Sequence, residues 1–398
     1  MKSAKVIIIG AGPVGTFVAY CLAEYGIDTI VLESESSCET DMRASTFHPS
    51  TLKYLDNLNL ANELIEKGLK APIFQYRIRA TDEILEFNLE ELSDVLDFPF
   101  RLQCEQYKFA RMLAEKLDNH NNSSVMFNRE LISFSDTEKR VKLKVDHYGT
   151  TEEYECDYLI GADGANSVVR RKLGIEFGGF TYKEKFFTLS TEEPLEDYFN
   201  ELSYVNYVSD PDEWFVLLKA PSAWRILVPV DENLDDDVIR SDDYVKSIFK
   251  RALNSDDHIE TIHRTIYRVH QRVADTMRSG KIILAGDSAH LNNPLGGFGM
   301  NGGLHDAWNL AKQLDQIINQ NKDEGLLDLY DRQRRAVMND FIQKQTIRNK
   351  KMIEETGNDK YSSEWNRMRN LHENDTERRE YMFRQTMAQS LLMEAKIS

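Results

Sequence analysis

Residues 5–33 read KVIIIGAGPVGTFVAYCLAEYGIDTIVLE, and this stretch decides the fold. Lys5 to Ile9 is a β-branched run with the character of a strand buried on both faces. Pro13 to Tyr25 carries apolar residues at helical spacing, and Thr29 to Leu32 is a second buried strand. Between the first strand and the helix lies Gly10-Ala11-Gly12-Pro13-Val14-Gly15, a complete GxGxxG, and Glu33 closes the second strand 23 residues after Gly10. Gly10 permits the tight turn, Gly12 lets backbone approach a pyrophosphate, and Gly15 allows the helix to pack closely on the strand. The helix that opens at Pro13 and Val14 presents free N–H groups and the positive end of its dipole. Glu33 is placed to accept hydrogen bonds from ribose hydroxyls. A GxGxxG alone is a weak signal, but strand, glycines, helix, strand and acid in register describe a dinucleotide-binding βαβ unit. The fingerprint does not choose between NAD and FAD.

The rest of the chain bounds what surrounds that unit. At 398 residues it is too long for one compact core, and its 41% apolar and 29% charged residues are those of a globular enzyme rather than a disordered or fibrous chain. Lys and Arg total 49 against 66 Asp and Glu, and the resulting charge of -17 disfavours a nucleic-acid partner or an anionic membrane surface. Cys21, Cys38, Cys104 and Cys156 lie far apart with no CxxC pair, so reduced buried thiols are expected and neither a disulfide framework nor a zinc site is. The apolar run Val6 to Ile9 is too short for a signal-peptide core, and no run approaches the roughly 18 apolar residues of a membrane span. A soluble cytoplasmic protein is the expectation.

Further along, a helix is expected from Pro49 or Ser50 to Asn57 and another from Gln106 to Leu117. Residues 73–100 alternate apolar and polar in the manner of two antiparallel strands, and Val125 to Phe127 and Val141 to Val145 read as short strands. Residues 180–269 hold no Gly and are dense in aromatics (Phe186, Phe187, Tyr207, Trp214, Phe215, Trp224), with alternating stretches that describe an antiparallel sheet whose aromatics fill its own core. The acidic stretch Asp231 to Asp237 reads as a solvated loop, since it lacks the residues that shape a coordination cage, and no metal site is expected. From Asp328 to Ile397 the pattern is helical.

Two more glycine clusters follow: DYLIGADGANSVVR at residues 157–170 and KIILAGDSAHLNNPLGGFGMNGGLHDAWNL at residues 281–310. In the second, the buried strand Ile282 to Ala285 ends in Gly286-Asp287, which puts a carboxylate at a strand C-terminus, where open α/β sheets bind ligands. The loop after it leads into a helix beginning near Met300, whose N-terminus stabilises negative charge. Pro294, Phe298 and Met300 are poor residues for a solvated linker.

GxGxxG with a terminal Glu, then GADGxxSxVR, then GDxAHxxxPxGGxGxNxGxxDAxNL resembles the single-component FAD aromatic hydroxylases typified by para-hydroxybenzoate hydroxylase, over Lys5 to about Leu314. The resemblance implies FAD held by Gly10, Gly12, Pro13, Val14, Gly15 and Glu33, with Arg43 beside the diphosphate and a helix-opening Gln106 in contact with the cofactor. Gln103 competes with Gln106 for that place. Asp163 and Gly164 would lie near the pyrophosphate and the path of the nicotinamide donor, and Asp287 would hold a ribityl hydroxyl. Gly297, Gly299, Met300 and Asn301 would offer backbone to the flavin N1 and O2 edge, with Pro294, Leu295 and Gly296 next to the substrate. Ser288 stands where Ala is usual, which should be harmless. The implied architecture is α/β: a Rossmann-like FAD-binding domain from residues 1–72, 101–178 and 278–345, an inserted, mainly antiparallel β-sheet substrate domain from 73–100 and 179–277, and a helical C-terminal segment, 346–398.

The implied reaction is hydroxylation of a small phenolic or heteroaromatic substrate, with NADH or NADPH as a transient electron donor and O2 adding at flavin C4a to give a hydroperoxide. Such enzymes often work as homodimers. The alternatives are another oxidation on the same fold (Baeyer-Villiger, halogenation, isoprenoid reduction) and a non-catalytic FAD-fold binding protein. Halogenases carry WxWxIP, and Trp224-Arg225-Ile226-Leu227-Val228-Pro229 lacks the second Trp. His48, in the segment Ala44 to Pro49 that passes the flavin ring in this family, is the candidate catalytic base, with an ordinary pKa near 6.5. Its bland alternative is a ring bonded to a neighbouring carbonyl at a helix start. The stretch from Glu33 to Asp41 holds Glu33, Glu35, Glu39 and Asp41 and no Arg or Lys, an acidic surface that repels a 2'-phosphate. NADH is therefore expected to serve at least as well as NADPH, and a kcat/KM strongly favouring NADPH would overturn that expectation.

Overall fold

Strand Lys2–Ile9 is buried along its second half and pairs in parallel with Thr29–Leu32 on one side and Thr150–Gly161 on the other. This places the first βαβ unit at the centre of an eight-stranded sheet, extended in parallel by Ser123–Met126 at one end and Ile282–Leu284 at the other. An antiparallel pair, Glu130–Asp136 and Val141–His147, continues from the first half of Thr150–Gly161. The computed structural model describes residues 2–38, 44–79, 81–137, 139–209, 213–354 and 359–398, the side chains of 359–362 excepted. Helices Pro13–Glu24, Gln106–Asp118 and Phe298–Gln320 contribute to the same apolar core as that sheet.

The second eight-stranded sheet runs in the spatial order His290–Leu291, His263–Ala274, Phe177–Thr191, Ala223–Val230, Phe215–Ala220, Val205–Ser209, Ile73–Ile78 and Glu83–Asn88. All its pairs are antiparallel except Val205–Ser209 with Ile73–Ile78. Period-2 alternation splits its side chains between two cores. Phe187, Leu189, Phe215, Trp224 and Ile226 face helices Asp236–Arg240 and Asp242–Leu253. Phe74, Tyr76, Phe87, Phe186, Tyr207 and Trp214 face the other way and meet Leu295 of the third glycine motif. Met352, Trp365, Met368, Tyr381 and Met382 cover that second face, so the C-terminal helices Gln343–Glu354, Asp359–Glu373 and Asp375–Gln385 are part of the second sheet's core. Each large side chain buried there contributes about 1.5–3 kcal/mol.

Two expectations change. Asp231 to Asp237 is not wholly a solvated loop: Asp235 caps a helix by accepting from the Asp237 N–H at 2.8 Å, and Asp236 pairs with Lys185 at 2.7 Å. Strand Glu130–Asp136, whose outward positions mix Glu130, Ile132 and Asp136, gave no alternating apolar signal. All four cysteines are buried and free.

A small third sheet matters most for the site. Thr46–Phe47 pairs antiparallel with Arg101–Gln103, in the register Thr46 opposite Gln103 and Phe47 opposite Leu102, and Leu69–Ala71 pairs with the other edge of that strand. Continuing the register sets His48 opposite Arg101.

Beneath the third motif, Asp306 on helix Phe298–Gln320 is fully buried and accepts from the Gly286 N–H at 3.0 Å, His290 Nε2 at 2.6 Å and Arg334 Nε at 2.6 Å. Arg334, itself buried, also pairs with Glu394 near the C-terminus. Burial raises the Asp306 carboxyl, but His290 and Arg334 outweigh it and hold its pKa at about 2. The folded value lies below the unfolded one of about 3.9, so this stabilisation is complete above that pH and is lost as pH falls towards 2. Arg334→Leu is expected to leave an uncompensated buried charge and to cost about 3–5 kcal/mol in denaturant unfolding at neutral pH. An unchanged midpoint would show that the carboxylate is held without it.

Candidate active site

Glycine backbone brings the three motifs together. A Cβ on Gly15 would lie 1.9 Å from the Gly10 carbonyl oxygen, and one on Gly10, whose φ is +105°, would lie 2.5 Å from the Ala162 oxygen and 3.2 Å from the Asp163 Cα. The first motif is thus in backbone contact with the second. Val14 links the first to the third: its methyl would stand 2.9 Å from a Cβ on Gly286 and 2.5 Å from one on Gly303. Side chains tie the second motif to the third. Arg170 donates to the Ser288 carbonyl at 2.8 Å and lies over the Phe177 ring, and the Ser288 hydroxyl donates to the Gly161 carbonyl at 2.6 Å. Ser288 thus joins two strand ends, a role an Ala cannot fill.

Against that constraint, Gly12 is open: an added Cβ would meet no protein atom within 4 Å. Gly12 caps helix Pro13–Glu24, which has neither a side-chain cap nor an acidic residue in its first turn, and helix Phe298–Gln320 opens from Gly297 with the same two absences. Two helix N-termini whose N–H groups and dipoles are left to a ligand suit an anionic diphosphate and an electron-rich flavin edge. Asp163 accepts from the Val169 N–H at 3.0 Å through one oxygen, while its other oxygen is buried without a hydrogen-bond partner. Gly164 lies beside it at φ +74° with open space around it. Asp287, at the strand end, is exposed. These features fit FAD.

Glu33 has a more structural part than a ribose contact alone. One oxygen accepts from the Ala11 N–H at 2.6 Å and the other from Ser34 Oγ and the Glu35 N–H, both at 3.0 Å, so it braces the glycine turn. Arg43 lies outside the described residues. Gln106 stands half-buried at the first position of its helix. Gln103 is fully buried, accepts from Thr46 Oγ1 at 3.0 Å, and keeps its amide nitrogen unpartnered.

The Pro294–Gly299 loop is clamped from beneath. Pro294 and Gly297 form a turn, Leu295 is buried in the substrate-sheet core, and the Gly296 carbonyl accepts from His48 Nε2 at 2.8 Å. Asn301 is the staple: its oxygen accepts from the His48 N–H at 2.9 Å and Thr51 Oγ1 at 2.7 Å, and its nitrogen donates to the carbonyls of Thr46 and Gly297, each at 2.7 Å. The Asn301 side chain is therefore spent on the fold. Gly299 and Met300 complete the same helical turn.

His48 differs from its expected chemistry. It is fully buried, its carbonyl starts helix Pro49–Asp56, and its ring stacks on Phe298 at 5.2 Å. Burial, then the neighbouring Arg101 guanidinium, hold its pKa well below the ordinary 6.5. A pKa near 6.5 is thus replaced by a ring that stays neutral in the free protein. Because Nε2 faces a carbonyl, it carries the proton, so Nδ1 is an acceptor, and that atom is buried without a partner. Sequence reading missed Arg101 and favoured Gln106 over Gln103, because what marks them is a cross-strand register more than 50 residues long in sequence.

The comparisons agree with this geometry. The FAD binding domain family matches residues 3–345. The 6-hydroxy-3-succinoylpyridine 3-monooxygenase of Pseudomonas putida strain S16 is 33% identical over 336 residues, covering 83% of this chain and 84% of that protein. The para-nitrophenol 4-monooxygenase of Pseudomonas sp. strain WBC-3 is 31% identical over 341 residues, covering 84% of each. The crystal structure of p-nitrophenol 4-monooxygenase from Pseudomonas putida DLL-E4 superimposes with a TM-score of 0.91 at 27% identity, covering 97% of this chain and 99% of that one.

The glycines separate cofactor from fold. Gly12→Val is expected to leave the unfolding midpoint of the apoprotein near wild type while FAD content after purification collapses, because an added Cβ meets no protein atom within 4 Å. If Asp287 holds the cofactor as the resemblance implies, Asp287→Ala should behave likewise, at a cost of roughly 1–3 kcal/mol of cofactor binding. Gly15→Ala should instead lower the midpoint itself. Full flavin content in Gly12→Val would remove that residue from the site.

Proposed function

The chain belongs to the FAD binding domain family and to the FAD-dependent aromatic monooxygenases within it, and from that premise we propose that it hydroxylates a small phenolic or heteroaromatic ring with NADH or NADPH as reductant. The observation that supports the reading is the buried cluster of His48, Arg101 and Gln103 beside the Pro294–Gly297 turn. The relatives named for 6-hydroxy-3-succinoylpyridine and para-nitrophenol support a hydroxylated ring carrying an electron-withdrawing group.

FAD, once held by these residues, would supply the redox chemistry of hydride acceptance from NAD(P)H and oxygen transfer from O2. The chain's own residues bind, orient and exclude water. The N–H groups following Gly12 receive the pyrophosphate, with Arg43 as an additional cation, and Asp163 and Gly164 border the same place. Asp287 takes a ribityl hydroxyl, and Gln103, rather than the more exposed Gln106, offers its unpartnered amide to the cofactor. The first-turn N–H groups of Gly299, Met300 and Asn301 stabilise charge on the flavin edge. The apolar second face of the substrate sheet, closed by the C-terminal helices, keeps water from the ring. His48 accepts the substrate hydroxyl's proton through Nδ1.

A screen of phenols and hydroxypyridines with the FAD-loaded enzyme should find compounds that stimulate NAD(P)H oxidation together with O2 uptake, with products heavier by one oxygen. Stimulation by none of them, or turnover without oxygenated product, would refute the proposal. His48→Ala should retain FAD and hydroxylate more slowly. The wild-type kcat/KM profile should carry no histidine limb at 6.5, because the free imidazole takes its proton only well below that pH.

A further inference from the structure

Arg101 is a buried cation with little to balance it. Its side chain is 1% exposed, and the guanidinium lies 4.4 Å above the Phe74 ring and 3.4 Å from the Tyr207 hydroxyl. Its Nε is buried without a partner, and among the described residues no carboxylate forms an ion pair with it. A ring face and one long hydrogen bond compensate poorly for taking a guanidinium out of water, so the position favours an anion. The other groups facing it are neutral: His48 across the strand pair, and Tyr76, whose hydroxyl accepts from Tyr381 at 2.9 Å.

His48 and Arg101 are complementary. His48 Nδ1 is an acceptor by tautomer, and Arg101 offers only donors. A group that satisfies both must donate one hydrogen and accept another through the same or adjacent atoms, which is what a phenolic hydroxyl does. Resting on the hydroxylase reading, we propose that Arg101 determines substrate specificity by holding the substrate's oxygen as a phenolate, which selects acidic phenols and hydroxy-heteroaromatics. In the step, the phenol O–H bond breaks and an N–H bond forms on His48 Nδ1. The electron pair stays on oxygen, and the anion lies between the new imidazolium and the guanidinium. No electron is transferred. An imidazolium next to Arg101 alone is disfavoured, but one separated from it by a phenolate is not, so the proton moves only when substrate is present. Phenols with electron-withdrawing groups ionise most readily and gain most from the cation.

The test uses the FAD-loaded enzyme without reductant and 4-nitrophenol, whose neutral and ionised forms absorb at different wavelengths. At a pH below the solution pKa of the free phenol, the wild-type difference spectrum should show the nitrophenolate band. Arg101→Met should lose the band and bind 4-nitrophenol about tenfold or more weakly, the loss expected for a hydrogen bond to a charged group. Its affinity for 4-methylphenol, which is not acidic enough to ionise, should change much less. Arg101→Lys should keep the band in part. Binding of 4-nitrophenol as its neutral form by the wild type, a measurement that needs no variant, would overturn the proposal, as would an undiminished anion band in Arg101→Met. The two readings fail separately: an anion band without turnover of any phenol would sink the hydroxylase and leave Arg101 in place, and turnover with neutral bound nitrophenol would do the reverse.

Discussion

The Asp306 carboxylate is the interaction on which the site's geometry depends. Its three donors come from a strand end (Gly286), a short strand that joins the second sheet (His290) and a helix of the C-terminal half (Arg334). Burying a carboxylate is tolerated only where such donors converge, and the convergence fixes distances that backbone alone would leave loose. Gly286 is thereby held against helix Phe298–Gln320, which fixes the strand end that carries Asp287 relative to that helix. Arg334 then reaches Glu394 on helix Ala388–Glu394, which ties the end of the chain to the cofactor side of the molecule although its neighbouring helices cover the substrate sheet.

Much of this was legible in the sequence because glycines are conspicuous and their reasons are local. Gly10, Gly12 and Gly15 announce a turn, an open approach and a tight packing contact, and each has that surrounding in the structure. The strands of the second sheet were legible from alternation, since a one-residue step sends Phe186 and Phe187 into different cores. What the sequence concealed depends on partners far away. Nothing near Asp306 announces that its charge is matched by Arg334, and nothing near Ser288 announces that its hydroxyl is needed by the Gly161 carbonyl. Strand Glu130–Asp136 was silent because its partner holds it, not its own apolar pattern. Gln103 is buried and Gln106 only half-buried, a difference that helix-start signals at Gln106 could not convey.

His48 shows why residue type is an incomplete guide to chemistry. A histidine beside a proline near a cofactor loop suggests a base with an ordinary pKa, and the structure keeps the residue in place while changing its electrostatics. The bond from Nε2 to the Gly296 carbonyl fixes the tautomer, the stack on Phe298 fixes the plane, and burial beside Arg101 fixes the charge. Each constraint follows from a different element, and only their meeting defines an acceptor poised for one proton.

The same meeting explains why the small sheet of Thr46–Phe47, Leu69–Ala71 and Arg101–Gln103 matters more than its size. It has too few residues to be a stable unit, so its register is imposed by Asn301 from one side and by the substrate sheet's aromatic face from the other. One face of one strand thereby presents Gln103 towards the cofactor loop and Arg101 towards the aromatic face, two residues apart on the same side of the pleat. A shift of that strand by one residue would turn both side chains away together, so the placement of one is tied to the placement of the other.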